Sequence, residues 1–222
     1  LVERHALSVA PSIGILIELA ARRAARAGAK TACVVGDPKF GGDGIPQLPG
    51  ALAEASELNA MLEAAGFACT LAEREAATKD AVAGAASRAS LVHLATHGCP
   101  DGLFLAGDAD PTKPSLSTAD VYSLELSAEL AMLSACDTFG GELRTDGVVG
   151  IARAFLAAGA SSLGVSLWPV DDRATRELMV QFYRRYLDGD DAAAAMRGAM
   201  RAMIEAKRWS PKQWAAFVVY GL

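Results

Sequence analysis

The sequence predicts an α/β fold in three layers, with a mainly parallel central sheet and helices on both faces. Three observations carry that prediction. Short apolar runs recur along the chain as "ACVV", "FACTL", "LVHLAT", "LAMLSA" and "SSLGVSLW". Between them stand longer segments whose apolar residues fall at helical spacing. The runs are continuously apolar instead of alternating, as strands covered on both faces are.

Taken in order, residues 32–35 form the first strand run and stop at Gly36-Asp37-Pro38, a turn signal. A Gly-rich loop leads to residues 48–66, where Leu52, Leu58, Met61 and Leu62 mark a helical face that Gly66 closes. "FACTL" reads as a strand, and residues 77–90 as a helix of small residues. "LVHLAT" is the next strand, with "DGLFLAGD" after it as a hairpin arm. Ser117 followed three residues on by Asp120 has the spacing of a capped helix start. "LAMLSA" is the fourth strand, "VGIARAFLAAGA" a helix closed by Gly159, and "SSLGVSLW" the fifth strand. Residues 170–189 and 192–209 are long amphipathic helices. "WAAFVVYG" closes the chain as a last edge strand, with a short helix as the alternative.

No Pro/Ser-rich linker or repeat interrupts this order, so residues 1–222 read as one domain, long enough to bury a sizeable core. The missing initiator Met leads us to expect a piece of a longer protein. The chain is 52% hydrophobic and 21% charged, with a net charge of -5, which argues against a nucleic-acid partner and its basic footprint. No run reaches the roughly 18 apolar residues of a membrane span, and the apolar block near the start lacks a cleavage site of small residues. Of the four cysteines, Cys33, Cys69, Cys99 and Cys136, three sit in or just after apolar runs, where a free thiol is a small hydrophobe. We therefore expect a reducing, cytoplasmic setting.

Two of the apolar runs end at reactive side chains, His97 and Cys136. In parallel α/β sheets chemistry collects beyond the carboxyl ends of the strands. A thiol becomes a strong nucleophile as a thiolate, and an adjacent imidazole can take its proton. Gly98 and Cys136 could each offer a backbone N–H to the oxyanion of an attacked carbonyl. The bland reading stands beside this one: a His–Cys pair 39 residues apart has no specificity as a motif, and a buried Cys is more often packing. His93 reads as a hydrogen-bonded core residue. A zinc site of His93, His97 and Cys99 lacks a completing CxxC pair, so no metal is expected. "VVGDPKFGGDG" matches no phosphate-binding loop; it reads as a connection or a groove wall, and no cofactor is implied.

"VHLATHG" with "LSACDT", then "DGVVGIARAFLAAGASSLGVSLWPVDDRAT" and the closing "WAAFVVYG", resembles the CHAT domains. These are caspase-like, separase-related cysteine peptidase domains often joined to tetratricopeptide repeats. The likeness continues upstream through "PSIGIL", "VVGDP" and "LPGALAEASELNAML". It implies a Cys–His dyad cleaving a protein or peptide substrate, with His97 as base, Cys136 as nucleophile, and Gly98 with the Cys136 amide at the oxyanion. It implies substrate contacts at Ser166 and Trp168, where an extended peptide could pair with the backbone, and a basic P1 side chain received by Asp172. Asp172 could equally cap the following helix, a role that suits Asp171 better. Asp137 is a second candidate for the pocket or a solvated loop residue. A regulatory repeat domain or partner protein is the expected company. The alternatives are a catalytically silent caspase-like signalling or scaffold module and, more distantly, a small-molecule hydrolase or transferase.

Overall fold

The computed structural model describes residues 1–25, 28–134, 136–137 and 145–221; for residues 23–25, 136, 137 and 145–149 the description covers the backbone alone. In chain order the elements are β1 (Ser8–Val9), α1 (Ile13–Ala25), β2 (Thr31–Pro38), α2 (Pro49–Ala64), β3 (Ala68–Arg74), α3 (Lys79–Ala86), β4 (Leu91–Ala95) and β5 (His97–Cys99). There follow β6 (Gly102–Leu103), β7 (Leu116–Ser117), α4 (Thr118–Tyr122), β8 (Leu130–Leu133), β9 (Cys136–Asp137) and α5 (Thr145–Ala158). The chain ends with β10 (Ser162–Ser166), α6 (Asp172–Leu187), α7 (Ala192–Ala206), α8 (Pro211–Trp214) and β11 (Phe217–Gly221).

Seven strands form the main sheet in the order β1-β11-β10-β8-β4-β2-β3. All its pairings are parallel except β10 with β11. The strand expected to close the sheet is therefore not its edge. Ser8 and Val9 pair outside β11, in register with Val219 and Tyr220. Two residues carry no readable strand pattern, which is why the sequence hides β1.

Alternate residues of the central strands feed two cores, as the two-residue period of a strand requires. Cys33, Val35, Val92, Leu94 and Leu133 join one cluster with Leu19 of α1, Val82 of α3 and Phe155 of α5. Val34, Leu91, Leu130 and Met132 join the other with Leu58 of α2, Phe182 of α6 and Met203 of α7. Both faces are buried, so the central strands are mostly apolar. Polar side chains fix the helix starts: Thr78 accepts from the Ala81 amide, Ser117 and Asp120 form a reciprocal capping box, and Asp191 accepts from Ala194. Each such cap contributes about 1 kcal/mol. Gly159 closes α5 at φ 129°, where an added Cβ would lie 2.2 Å from the Leu126 carbonyl oxygen. No helix of the described residues is long and apolar enough to cross a membrane.

A second, four-stranded sheet, β7-β6-β5-β9, stands beyond the carboxyl ends of β4 and β8. Its β5–β6 hairpin is the arm expected of "DGLFLAGD"; the pairings with β7 and β9 were not foreseen, because these strands are two residues long. It positions the site.

Candidate active site

The paired strands β4 and β8 both break and re-form as β5 and β9 without losing register. Leu94 partners Leu133, and three residues later His97 partners Cys136, the same offset of 39 residues. The spacing that says nothing in the sequence is thus a register. It sets the two backbones at the normal strand separation of about 4.8 Å. The break in β4 falls at Thr96, whose buried hydroxyl donates to the Phe104 carbonyl at 2.6 Å. The thiol of Cys136 and the carboxylate of Asp137 lie outside the described residues. Gly98 pairs with Leu103 of β6 on one side and Asp137 on the other.

His97 is buried, with the Phe40 ring tilted against it at 5.3 Å between centroids. Its Nε2 lies 2.7 Å from the Pro46 carbonyl oxygen. A carbonyl can only accept, so Nε2 carries the hydrogen and Nδ1 is the ring nitrogen with a lone pair in the neutral form. Burial lowers the imidazole pKa, opposed by the Pro46 hydrogen bond and the negative charge of Asp37. The result is an imidazole biased toward its neutral form and held by Nε2.

Pro46 was not foreseen as part of the site. The loop that carries it is anchored by Asp37, which sits fully buried at the end of β2 with φ 43°. Asp37 Oδ1 accepts from the Leu48 amide at 2.6 Å, and Oδ2 pairs with Arg74 at 2.9 Å. The Gly-rich stretch does form a groove wall: Phe40, Gly42, Ile45 and Pro46 line a surface groove of about 670 Å³. The only sequence signal for this anchor was the Gly36-Asp37-Pro38 turn.

Asp171 and Asp172 divide the roles left open between them. Asp171 caps α6, accepting from the Arg173 and Ala174 amides at 3.0 and 3.1 Å. Asp172, half-buried, instead turns to the first turn of α2 and accepts from the Gly50 amide at 3.0 Å. Burial raises its carboxyl pKa; the Gly50 hydrogen bond opposes this, while Glu54, Asp171 and Asp37 add to it. Asp172 shares a small cavity of about 40 Å³ with His97, Glu54, Thr96, Ser134 and Thr175. The geometry therefore brings His97, Asp172 and the Cys136 backbone to one place.

Ser166 ends β10, buried and paired with Phe217. Trp168 donates its indole N–H to the Lys212 carbonyl at 2.7 Å, and the Leu167 amide donates to Ala216. The Leu167 N–H is thus committed within the fold, which leaves any pairing with a substrate to other backbone groups of this segment. His93, four residues earlier and on β4, has its own partners: Nε2 meets Glu54 at 2.9 Å and Nδ1 meets the Tyr183 hydroxyl at 3.1 Å. Both ring nitrogens are thereby engaged in the core.

Sheet order, the second sheet and the register across the break define a caspase-like α/β fold, the fold of a class of cysteine peptidases. Solved structures agree. The arginine-specific cysteine proteinase gingipain R matches with a TM-score of 0.60 at 13% identity, over 87% of this chain and 46% of that one. The Saccharomyces cerevisiae separase–securin complex matches with a TM-score of 0.65 at 14% identity, over 99% of this chain and 14% of that one. More particularly, the chain belongs to the CHAT domain family, which it matches over residues 1–222. Among curated proteins, tetratricopeptide repeat protein 28 of Homo sapiens is 30% identical and that of Mus musculus 29%, each over 80% of this chain. This chain spans 9% of the length of those relatives.

Proposed function

We propose that the chain is a cysteine endopeptidase domain acting through His97 and Cys136. The observation that supports it most is the register His97–Cys136 combined with the Nε2–H of His97 held on Pro46. His97 Nδ1 takes the thiol proton as the sulfur of Cys136 attacks the scissile carbonyl carbon. The oxyanion is received by the Gly98 and Cys136 amides. The imidazolium returns its proton to the leaving amine as the C–N bond breaks, which leaves a thioester. Water then adds to that carbonyl, giving a proton to His97; the carboxylic acid departs and the thiol is restored.

Asp172 receives a basic P1 side chain in this reading, and Asp137 flanks the nucleophile. Ser166 and Trp168 border the path of the peptide. A repeat domain or separate partner protein is the expected regulator, in keeping with the name of the curated relatives. The test is a peptide-library digest with the native chain and with Cys136→Ala. Cleavage that vanishes in the variant while its melting curve is unchanged supports the reading. Cleavage that persists sinks it, and a native chain that cuts nothing, alone or with its repeat domain, points to the silent scaffold.

A further inference from the structure

The cavity beside His97 is small and narrow. At about 40 Å³ it admits about three or four water-sized bodies, each needing about 10–15 Å³. A lysine or arginine side chain does not fit. On the other side of Asp172 lies an open groove of about 920 Å³ between α2 and α6, lined by Gly50, Ala53, Arg176 and Gln181 among others. Asp172 lines both spaces, and between them its carboxylate is tied to α2 through Gly50.

That tie is tight. A Cβ at Gly50 would fall 2.5 Å from the Asp172 Cβ and 2.6 Å from Oδ2, so only a hydrogen lets α6 seat its carboxylate there. α2 also lacks a side-chain cap of its own at Leu48. Asp172 supplies the missing acceptor from another helix, where the N-terminal partial charge favours an anion. Meanwhile the Ser134 hydroxyl, 8% exposed as a residue, lines the small cavity with no hydrogen-bond partner among the described residues. One polar group is overcommitted to the scaffold and the other is waiting for a partner.

The geometry points to a latched specificity pocket: Gly50 of α2 holds Asp172 shut over the cavity, and a basic side chain enters only when Asp172 exchanges the Gly50 amide for the incoming cation. The inference rests on the proposed role of Asp172 as acceptor of a basic P1 group. It adds that the chain as folded is a latent form, and that the first turn of α2 is what an activating partner must move. Opening the tie frees Asp172 and joins the inner cavity, with Ser134 at its wall, to the outer groove.

The test uses agmatine, an amine bearing the guanidinium of an arginine side chain, in calorimetric titrations against the native chain, Gly50→Ala, and Gly50→Ala with Asp172→Asn. The expected result is at least a tenfold gain in affinity for Gly50→Ala over the native chain, lost in the double variant. In parallel, hydrogen exchange on the native chain follows the Gly50 amide, which is expected to exchange at least tenfold faster at saturating agmatine. That measurement decides the matter if Gly50→Ala does not fold. Equal affinity of the native chain and Gly50→Ala, an unchanged Gly50 amide with agmatine bound, or no binding to any form overturns the latch. Its failure is separable from that of the peptidase reading. Agmatine behaving as expected without Cys136-dependent cleavage by Gly50→Ala, or by the native chain with its repeat domain, leaves the latch and removes the peptidase, whereas cleavage indifferent to agmatine does the reverse.

Discussion

Asp37 reaches His97 through three residues of loop: its buried carboxylate takes the Leu48 amide at 2.6 Å, and Pro46, two residues earlier, takes the imidazole Nε2–H at 2.7 Å. The imidazole is therefore oriented from the end of β2. Asp37→Ala is expected to lower kcat about 10–100-fold with KM little changed, the scale of a small misplacement at the reacting centre. Asp37→Asn keeps an acceptor for Leu48 and should restore much of the loss. A kcat equal to native in Asp37→Ala, measured on the same peptide, would remove this positioning role.

The pH profile follows from the burial of His97. Its pKa is lowered from 6.5, so the neutral base survives to lower pH than an ordinary imidazole would allow. The acid limb of kcat/KM due to this group should lie below pH 6.5, and Asp172→Asn separates any contribution from the carboxylate. Folding stability carries the same sign. The unfolded chain takes the proton more readily than the folded one, so stability falls as pH drops through the unfolded value. An acid limb centred at or above 6.5 would contradict the neutral, buried imidazole.

Asp172→Asn should lower kcat/KM for peptides with Arg or Lys at P1 by at least tenfold and leave apolar P1 peptides nearly unaffected. The checking measurement is the ratio of the two rates, which cancels any general loss of activity. Equal losses for both classes would move Asp172 from the pocket to the scaffold.

Tyr183→Phe tests the core beneath the site. The hydroxyl is fully buried and meets His93 Nδ1, and burial pushes its pKa well up, so it stays a neutral donor. Its removal leaves the ring packing in place but a buried nitrogen unpaired, at a cost of about 1–3 kcal/mol in a urea unfolding titration. A change under about 0.5 kcal/mol would mean that water or another group takes the position of the hydroxyl.

The layers of this fold were legible because the strands are buried on both faces and the helices carry ordinary caps: Ser117, Gly159 and Asp171 act as their sequence positions imply. What stayed hidden was long-range. Nothing near His97 in sequence indicates Pro46, 51 residues away, nor does anything near Asp172 indicate Gly50, 122 residues away. Glycines at turns announce themselves through local conformation, whereas Gly50 is glycine because of what another helix brings against it. His97 and Cys136 could be named from their places after strands. Their common register depends on two strands breaking at one level, which no local pattern encodes.

The pairing of Ser8 and Val9 with Val219 and Tyr220 sets a practical boundary for anyone trimming the domain. Begun after Pro11, the polypeptide would present Phe217 to Gly221 as a bare ladder of amides and carbonyls. Such an apolar rim is a template for end-to-end polymerisation. Among the described residues, the two of β1 are all that pair with it on that side.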